Sequence, residues 1–336
     1  MNLNENKYTE FALVKEMLET GEILKNVSID EIKKIASSLK NNKNFLTGEG
    51  SSRIFPAKKV IADALRNDWN GSFTTEAATQ ALEYNLNAYN VFVASNSGKT
   101  KEGVRLIKAL KEQKHSSICG VIANDNTPIQ NESDAHYLLV CGEEKAVAAT
   151  KSVVEQAIFY DILFRSINDA PLPDLSKLGD LITSVLESTI SPDIVNQLAQ
   201  SPIVYWAGRN DGVAEELALK TNEITRKKSD FLEGTYAVHG IEEVMNPNES
   251  VIWISPFKSE EEKFTDVLSK GVGNKVFTIH HEETSFDNIL IPEYGEFTPY
   301  LQLACGWSVM VEIGIETNIQ LDKPTRARKV GNEFIG

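Results

Sequence analysis

The sequence predicts an α/β fold made of two tandem units, each a doubly wound parallel sheet, and three observations predict it. Short runs rich in β-branched residues alternate with segments of helical period, which is the pattern of a parallel sheet covered on both faces. The strand pattern of the first half returns in the second half in the same order. Between the halves, residues 168–177 carry Pro171 and Pro173, lack periodicity and read as a linker. The expected divisions are a helical segment over 1–40, a first α/β unit over 41–170, a second over 178–320 and a tail over 321–336.

Taken in order, Phe11, Val14, Met17 and Leu18 repeat at helical spacing. Ser28 and Glu31 form a capping box for a second helix whose apolar face is Ile32, Ile35 and Leu39. Residues 45–47 read as a strand, 53–65 as a helix with Pro56 in its first turn, 73–75 as a strand and 76–84 as a helix. Residues 91–94 are a buried strand, and Val104, Leu106, Ile107 and Leu110 then recur at helical spacing; 118–123 and 135–140 are strands, and a long helix ends near Ile167. Helices follow over 181–188 and 191–198. The repeat then begins. Phe45 and Tyr205 open matching strands 160 positions apart, and so do Val91 and Val251. Residues 118–123 find a counterpart in 275–280, and 137–140 in 289–291.

The chain has 336 residues, enough for two domains with real cores. A net charge of −14 argues against a nucleic-acid surface, which needs a basic face. An anionic ligand must therefore be drawn by local groups rather than by the overall field. Cys119, Cys141 and Cys305 are scattered, show no metal or disulfide spacing and read as small core hydrophobes. The polar N-terminus shows no secretory h-region, and the chain holds no run of 18 apolar residues, so a cytoplasmic protein is expected, with no membrane contact.

The chemistry begins at residues 91–102, where a strand, a tight polar turn and a helix N-terminus follow one another. That order aims backbone N–H groups and the positive end of a helix dipole at one spot. Ser95, Ser97 and Thr100 add hydroxyl donors, Asn96 an amide, and Gly98 lets the backbone approach closely. An ordinary cap needs one hydroxyl, whereas this turn has three, and an anion site, phosphate above all, is the better account. The repeat carries Ser255, Pro256, Phe257 and Glu260 at the matching turn, which removes a donor and adds negative charge. One anion site per chain is expected, in the first half.

The second half must supply something else. Residues 211–227 read as one helix with Glu216, Lys220 and Glu223 on one face. A solvated, salt-bridged face is the plain account, but the loop that follows brings His239 before Gly240, and a histidine close to a carboxylate and an amine can serve proton transfer. His115, His136, His280 and His281 lack such company and read as surface or core residues, so no metal site is expected. The basic C-terminus is expected to fold over a site and offer Lys329 or Arg328 to an anion or a carbonyl.

Together these residues resemble the tandem sugar-isomerase (SIS) domain proteins, notably the isomerase half of glucosamine-6-phosphate synthase and its stand-alone relatives. The resemblance runs from about Lys15 to the end. Ser95–Thr100 resembles the family's phosphate loop, and Gly48-Glu49-Gly50-Ser51-Ser52 its Gly-x-Gly-[Ser/Thr]-Ser turn. Glu144 and Val147–Lys151 resemble its Glu-x-x-Val-Ala-Ser-Thr-Lys stretch, with Ala149 in place of Ser. Glu216, Lys220 and Glu223 match its helix, His239-Gly240 its His-Gly-Pro loop with Ile241 in place of Pro, and Lys329 its C-terminal lysine. Glu49 and Lys99 are unusual beside such a pocket and leave room for a sulfonate tail.

The resemblance implies SIS (flavodoxin-like) units, no cofactor, and a homodimer in which the histidine comes from the neighbouring subunit, so that the active site is shared. It implies aldose–ketose isomerisation of a hexose 6-phosphate or a similar anionic hexose. Ser51, Ser52, Ser95, Asn96, Ser97, Thr100, Glu144, Val147 and Arg328 would bind the substrate. His239 would open the ring, and Glu223 would move the proton between C1 and C2, a role suited to a closed pocket. Lys220 and Lys329 would stabilise the enediolate or, if an amine is involved, form a Schiff base. The alternatives are an amino-sugar-6-phosphate deaminase or fructosamine-6-phosphate deglycase, a sulfosugar isomerase, and a non-catalytic sugar-phosphate sensor.

Overall fold

A computed structural model describes residues 1–323, 325 and 326, among which no helix is long and apolar enough to cross a membrane. They fall into two compact units. The first unit includes Glu19–Gly179; the second takes Met1–Leu18 and, among the described residues, 180–323. The cut thus passes through the N-terminal helix Ala12–Lys25, inside the stretch read as one helical segment.

In the first unit five parallel strands, β1 (Lys43–Thr47), β2 (Ser72–Thr75), β3 (Tyr89–Ser95), β4 (Ile118–Ile122) and β5 (Ala135–Leu138), lie in the order β2-β1-β3-β4-β5. In the second unit β6 (Ile203–Gly208), β7 (Lys228–Glu233), β8 (Ser250–Ile254), β9 (Lys275–His280) and β10 (Asp287–Leu290) lie in the order β7-β6-β8-β9-β10. The two orders are the same once chain position is matched strand for strand. Both are doubly wound, and in such sheets a ligand crevice opens beyond the strand ends where the order reverses. Here that crevice lies between β1 and β3, and again between β6 and β8.

The central strands are apolar because both faces are covered. All five residues of β4 and all five of β8 are buried. Strand β7 was not expected. Its sequence, Lys-Ser-Asp-Phe-Leu-Glu, alternates exposed and covered positions, as an edge strand does. Each sheet also leans on one long helix buried nearly all round, Lys151–Ile167 in the first unit and Thr298–Glu316 in the second. A helix covered on every side has no amphipathic stripe, so helical period could not reveal the second of these.

The first unit buries charge. Lys59 Nζ lies 2.8 Å from both Asp63 and Asp161, and Arg165 Nη2 lies 2.9 Å from Asp63, all four side chains being at most 1% exposed. In the core of the second unit Trp253 stacks on Phe264 at 3.6 Å between ring centres. The cysteines are buried, and burial alone pushes the thiols of Cys119 and Cys305 up to about 12, so they stay protonated and inert.

Candidate functional site

The crevice of the first unit is built from the turns after β1 and β3. Gly48 lies where the two strand ends converge. A Cβ there would stand 2.9 Å from the Ala94 carbonyl oxygen and 3.1 Å from Ser52 Cβ, so only glycine allows the approach. In the second turn Gly98 has φ +68°, and a Cβ on it would meet Thr127 Oγ1 at 2.3 Å. Ser95, only 2% exposed, faces inward: its Oγ pairs with Thr100 Oγ1 at 2.7 Å and accepts from the Gly98 N–H at 3.1 Å. Ser95 therefore braces the loop. Ser97 accepts from the Lys99 N–H at 3.2 Å, and Asn96 donates to the Gly142 carbonyl at 3.3 Å. Ser97 and Thr100 are partly exposed, and Thr100 stands at the N-terminus of helix Lys101–Glu112. The first turn of that helix is where a bound anion is most favoured.

The flanking residues are braced too. Glu144, 1% exposed, accepts from the Thr150 N–H at 2.6 Å and from Ser152 Oγ at 2.5 Å. It caps the long helix Lys151–Ile167 with a negative charge, where the dipole welcomes one. Val147 is half-buried in the loop that Glu144 ties down. Ser51 is buried, while Ser52 Oγ accepts from Gln156 Nε2 at 3.4 Å. Gln156 escaped sequence reading because it lies within an apolar helix. Glu49 accepts from the Ala78 N–H at 3.1 Å and caps the short helix Ala78–Ala81. Burial, with Glu102 adding to it, holds the Glu49 carboxyl above the usual carboxylate range. Lys99 is exposed.

The second unit holds the other set. The helix expected over 211–227 is α-helical only from Val213 to Lys220; it then widens into a π turn, Thr221–Thr225, and stops at Arg226 with φ +57°. Hydroxyls drive the change: Thr221 and Thr225 each donate to the carbonyl four residues back, at 2.8 and 2.6 Å, and Trp206 Nε1 donates to Thr221 Oγ1 at 2.7 Å. The widened turn brings the three charged residues together. Lys220 Nζ lies 2.6 Å from Glu223 Oε2 and 3.7 Å from Glu216 Oε1. Glu216 and Lys220 are buried, but the Glu223 side chain is 37% exposed. The closed surroundings expected for Glu223 are therefore absent among the described residues. His239 follows a short turn, Tyr236–Val238, and is exposed. Arg328 and Lys329 lie outside the described residues.

The crevice of the second unit is filled by its own chain. The Arg209 guanidinium donates to the Ser255 carbonyl and lies over the Phe257 ring at 4.1 Å. Gln302 donates to Ser255 Oγ at 2.5 Å.

Comparison with known proteins agrees with the fold. The family model described as SIS domain matches residues 87–166, which include β3, the hydroxyl turn and the long helix up to Ser166, one residue short of its end. Residues 87–166 form a SIS domain. The second unit repeats the strand order of the SIS unit. Among curated proteins, the glutamine–fructose-6-phosphate aminotransferase (isomerizing) of Staphylococcus aureus strain COL is 22% identical over 291 residues, covering 80% of this chain and 48% of its own length. The chain thus spans about half the length of the curated relatives it matches. Among solved structures, tagatose-6-phosphate ketose/aldose isomerase from Escherichia coli matches with a TM-score of 0.76 at 18% identity, covering 96% of this chain and 99% of that one. Glucosamine-6-phosphate deaminase from Thermotoga maritima matches with a TM-score of 0.76 at 17% identity, covering 96% of this chain and 99% of that one. At such identities these structures show the fold that the SIS unit and its repeat share with them.

Proposed function

We propose that this protein interconverts the aldose and ketose forms of a hexose bearing an anionic group at C6. The observation that carries the proposal is the pairing of Lys220 with Glu223 at the π turn, in a chain whose SIS unit ends its β1 and β3 strands in hydroxyl turns. Ser52, Ser97, Thr100 and the first turn of helix Lys101–Glu112 bind the anionic tail, while Ser51, Ser95, Asn96, Glu144 and Val147 hold the loops that present them. His239 opens the ring by carrying a proton from the anomeric hydroxyl to the ring oxygen. Glu223 takes the proton from C2 of the open aldose; the C2–H electron pair forms the C1–C2 double bond as the C1=O π pair moves onto O1. O1 gains the proton that O2 gives up, C2=O forms, and the double-bond pair takes the proton back from Glu223 at C1. Lys220 balances the charge that develops on the enediolate oxygen. Lys329 is assigned to the same oxygen, and Arg328 to the anionic tail. No cofactor is needed, because the step oxidises one carbon and reduces its neighbour.

The exposure of His239, beside Tyr236 at 48% and Val244 at 67% exposed, supports a homodimer in which this loop serves the neighbouring subunit. The cytoplasm is the compartment in which sugar phosphates are kept. A second reading is deamination or deglycation of an amino sugar 6-phosphate. It is favoured by the buried amine of Lys220 and by the names of the deaminase and aminotransferase relatives. A panel of 6-phospho and 6-sulfo hexoses in deuterated water tests both. Isomerisation gives interconversion with deuterium gained at C1 or C2 and no nitrogen released. Ammonia or amino-acid release points to the second reading, and inertness toward the whole panel overturns both.

A further inference from the structure

The end of β9 carries side chains that the proton-transfer reading leaves unused. We propose that His280, His281 and Glu282 bind one divalent transition-metal ion, zinc or a neighbour such as nickel. One nitrogen from each imidazole and one carboxylate oxygen lie within 4.8 Å of one another. Ligand atoms around zinc sit about 2 Å from the metal, so modest side-chain rotation closes the set. The Nδ1 atoms of both rings are buried and have no hydrogen-bond partner among the described residues. Buried polar atoms are rarely left so, and a metal would satisfy them. The two rings meet edge to face at 4.2 Å between centres.

The turn that carries these residues is built in advance. Asn288 Nδ2 donates to the Glu282 carbonyl at 2.7 Å. The Ser285 N–H and Oγ both donate to Glu261, at 3.1 and 2.8 Å. Thr284 and Thr278 share a hydrogen bond at 2.9 Å. The backbone behind Glu282 is therefore fixed whichever rotamer its carboxylate takes, and a ligand set on a fixed backbone costs little to order. Glu261 lies close by and favours a cation. Arg209 opposes one, but its guanidinium is engaged by Ser255 and Phe257. Two imidazoles with one carboxylate suit zinc, nickel, copper or iron, and they do not suit magnesium or calcium. The ion would clamp the end of β9 to the 281–286 turn on the rim of the second unit's crevice.

Equilibrium dialysis and titration calorimetry on the full chain with zinc chloride, and with magnesium chloride as control, test the assignment. One zinc per chain at micromolar affinity or tighter is expected, with magnesium not retained, and H281A and E282Q should each weaken zinc at least tenfold. Cobalt added in place of zinc should give visible ligand-field bands that disappear in H281A. The melting temperature should rise with zinc in the parent and in E282Q less so. If H281A does not fold, E282Q alone decides. Failure to bind zinc saturably, or equal affinity in parent and variants, would overturn the site. None of these readouts depends on the isomerase reading.

Discussion

At the crevice between its first and third strands, the first unit presents Ser97, Thr100 and a helix N-terminus, and the second presents Arg209 laid over Phe257. The strand orders are the same, so the sheet alone does not decide what a crevice does. The turns decide it. Two hydroxyls and a glycine with positive φ leave donors facing outward in one case. In the other, a proline, a phenylalanine and an arginine consume the space. The second unit places its chemistry elsewhere, on a helix distorted into a π turn that brings Lys220 to Glu223. π turns inside helices recur at functional sites because they re-aim side chains at a cost in regularity.

The contrast can be broken or sharpened in several ways. The largest effect is expected from K59M. It leaves Asp63 and Asp161 buried without their shared cation, a loss of about 3–5 kcal/mol confined to the first unit. Urea unfolding should then show the first unit opening before the second; a single unshifted transition would refute the asymmetry. Next comes G306A. Its Cβ would stand 2.3 Å from Leu217 Cδ2, on the helix that carries Lys220. We expect about 1–3 kcal/mol of destabilisation by thermal melting, with turnover reduced and anion binding kept.

G98A places a side chain on Thr127 at positive φ, and phosphate affinity measured by calorimetry should fall about tenfold, as strain of about 1–3 kcal/mol implies. The smallest effect is expected from R209A. It empties a crevice that holds no substrate in this account, so affinity for a 6-phosphosugar should stay within about twofold. A large loss there would mean that the second crevice, and not the first, holds the anion.

Much of the fold was legible because its strands announce themselves. Val91–Ala94 are four buried apolar residues before a polar turn, and Ser28 accepts from the Glu31 N–H at 3.3 Å as a capping box should. What escaped did so for physical reasons. Strand β7 is polar because it lies at an edge, and helix Thr298–Glu316 has no polar face because it is buried nearly all round. The π turn depends on Trp206 reaching Thr221 from another element, which helical spacing cannot register. Within the site, hydroxyl composition marked the loop but not the division of work inside it. Ser95 and Glu144 read as ligand groups and are engaged in bracing, while Glu49 is a helix cap. His280 and His281 lacked visible company, yet Glu282 stood next to them in the sequence; the buried Nδ1 atoms became apparent only with the turn folded.

The central claim is that the first unit holds the sugar's anionic end while Glu223 moves the proton. It is tested most directly by E223Q in deuterated water with the sugar that the panel identifies. The account predicts that binding, measured by calorimetry, stays within about twofold while deuterium exchange at C1 and C2 falls at least about a thousandfold. Exchange at the parent rate would contradict it, as would binding and exchange lost together by the same factor.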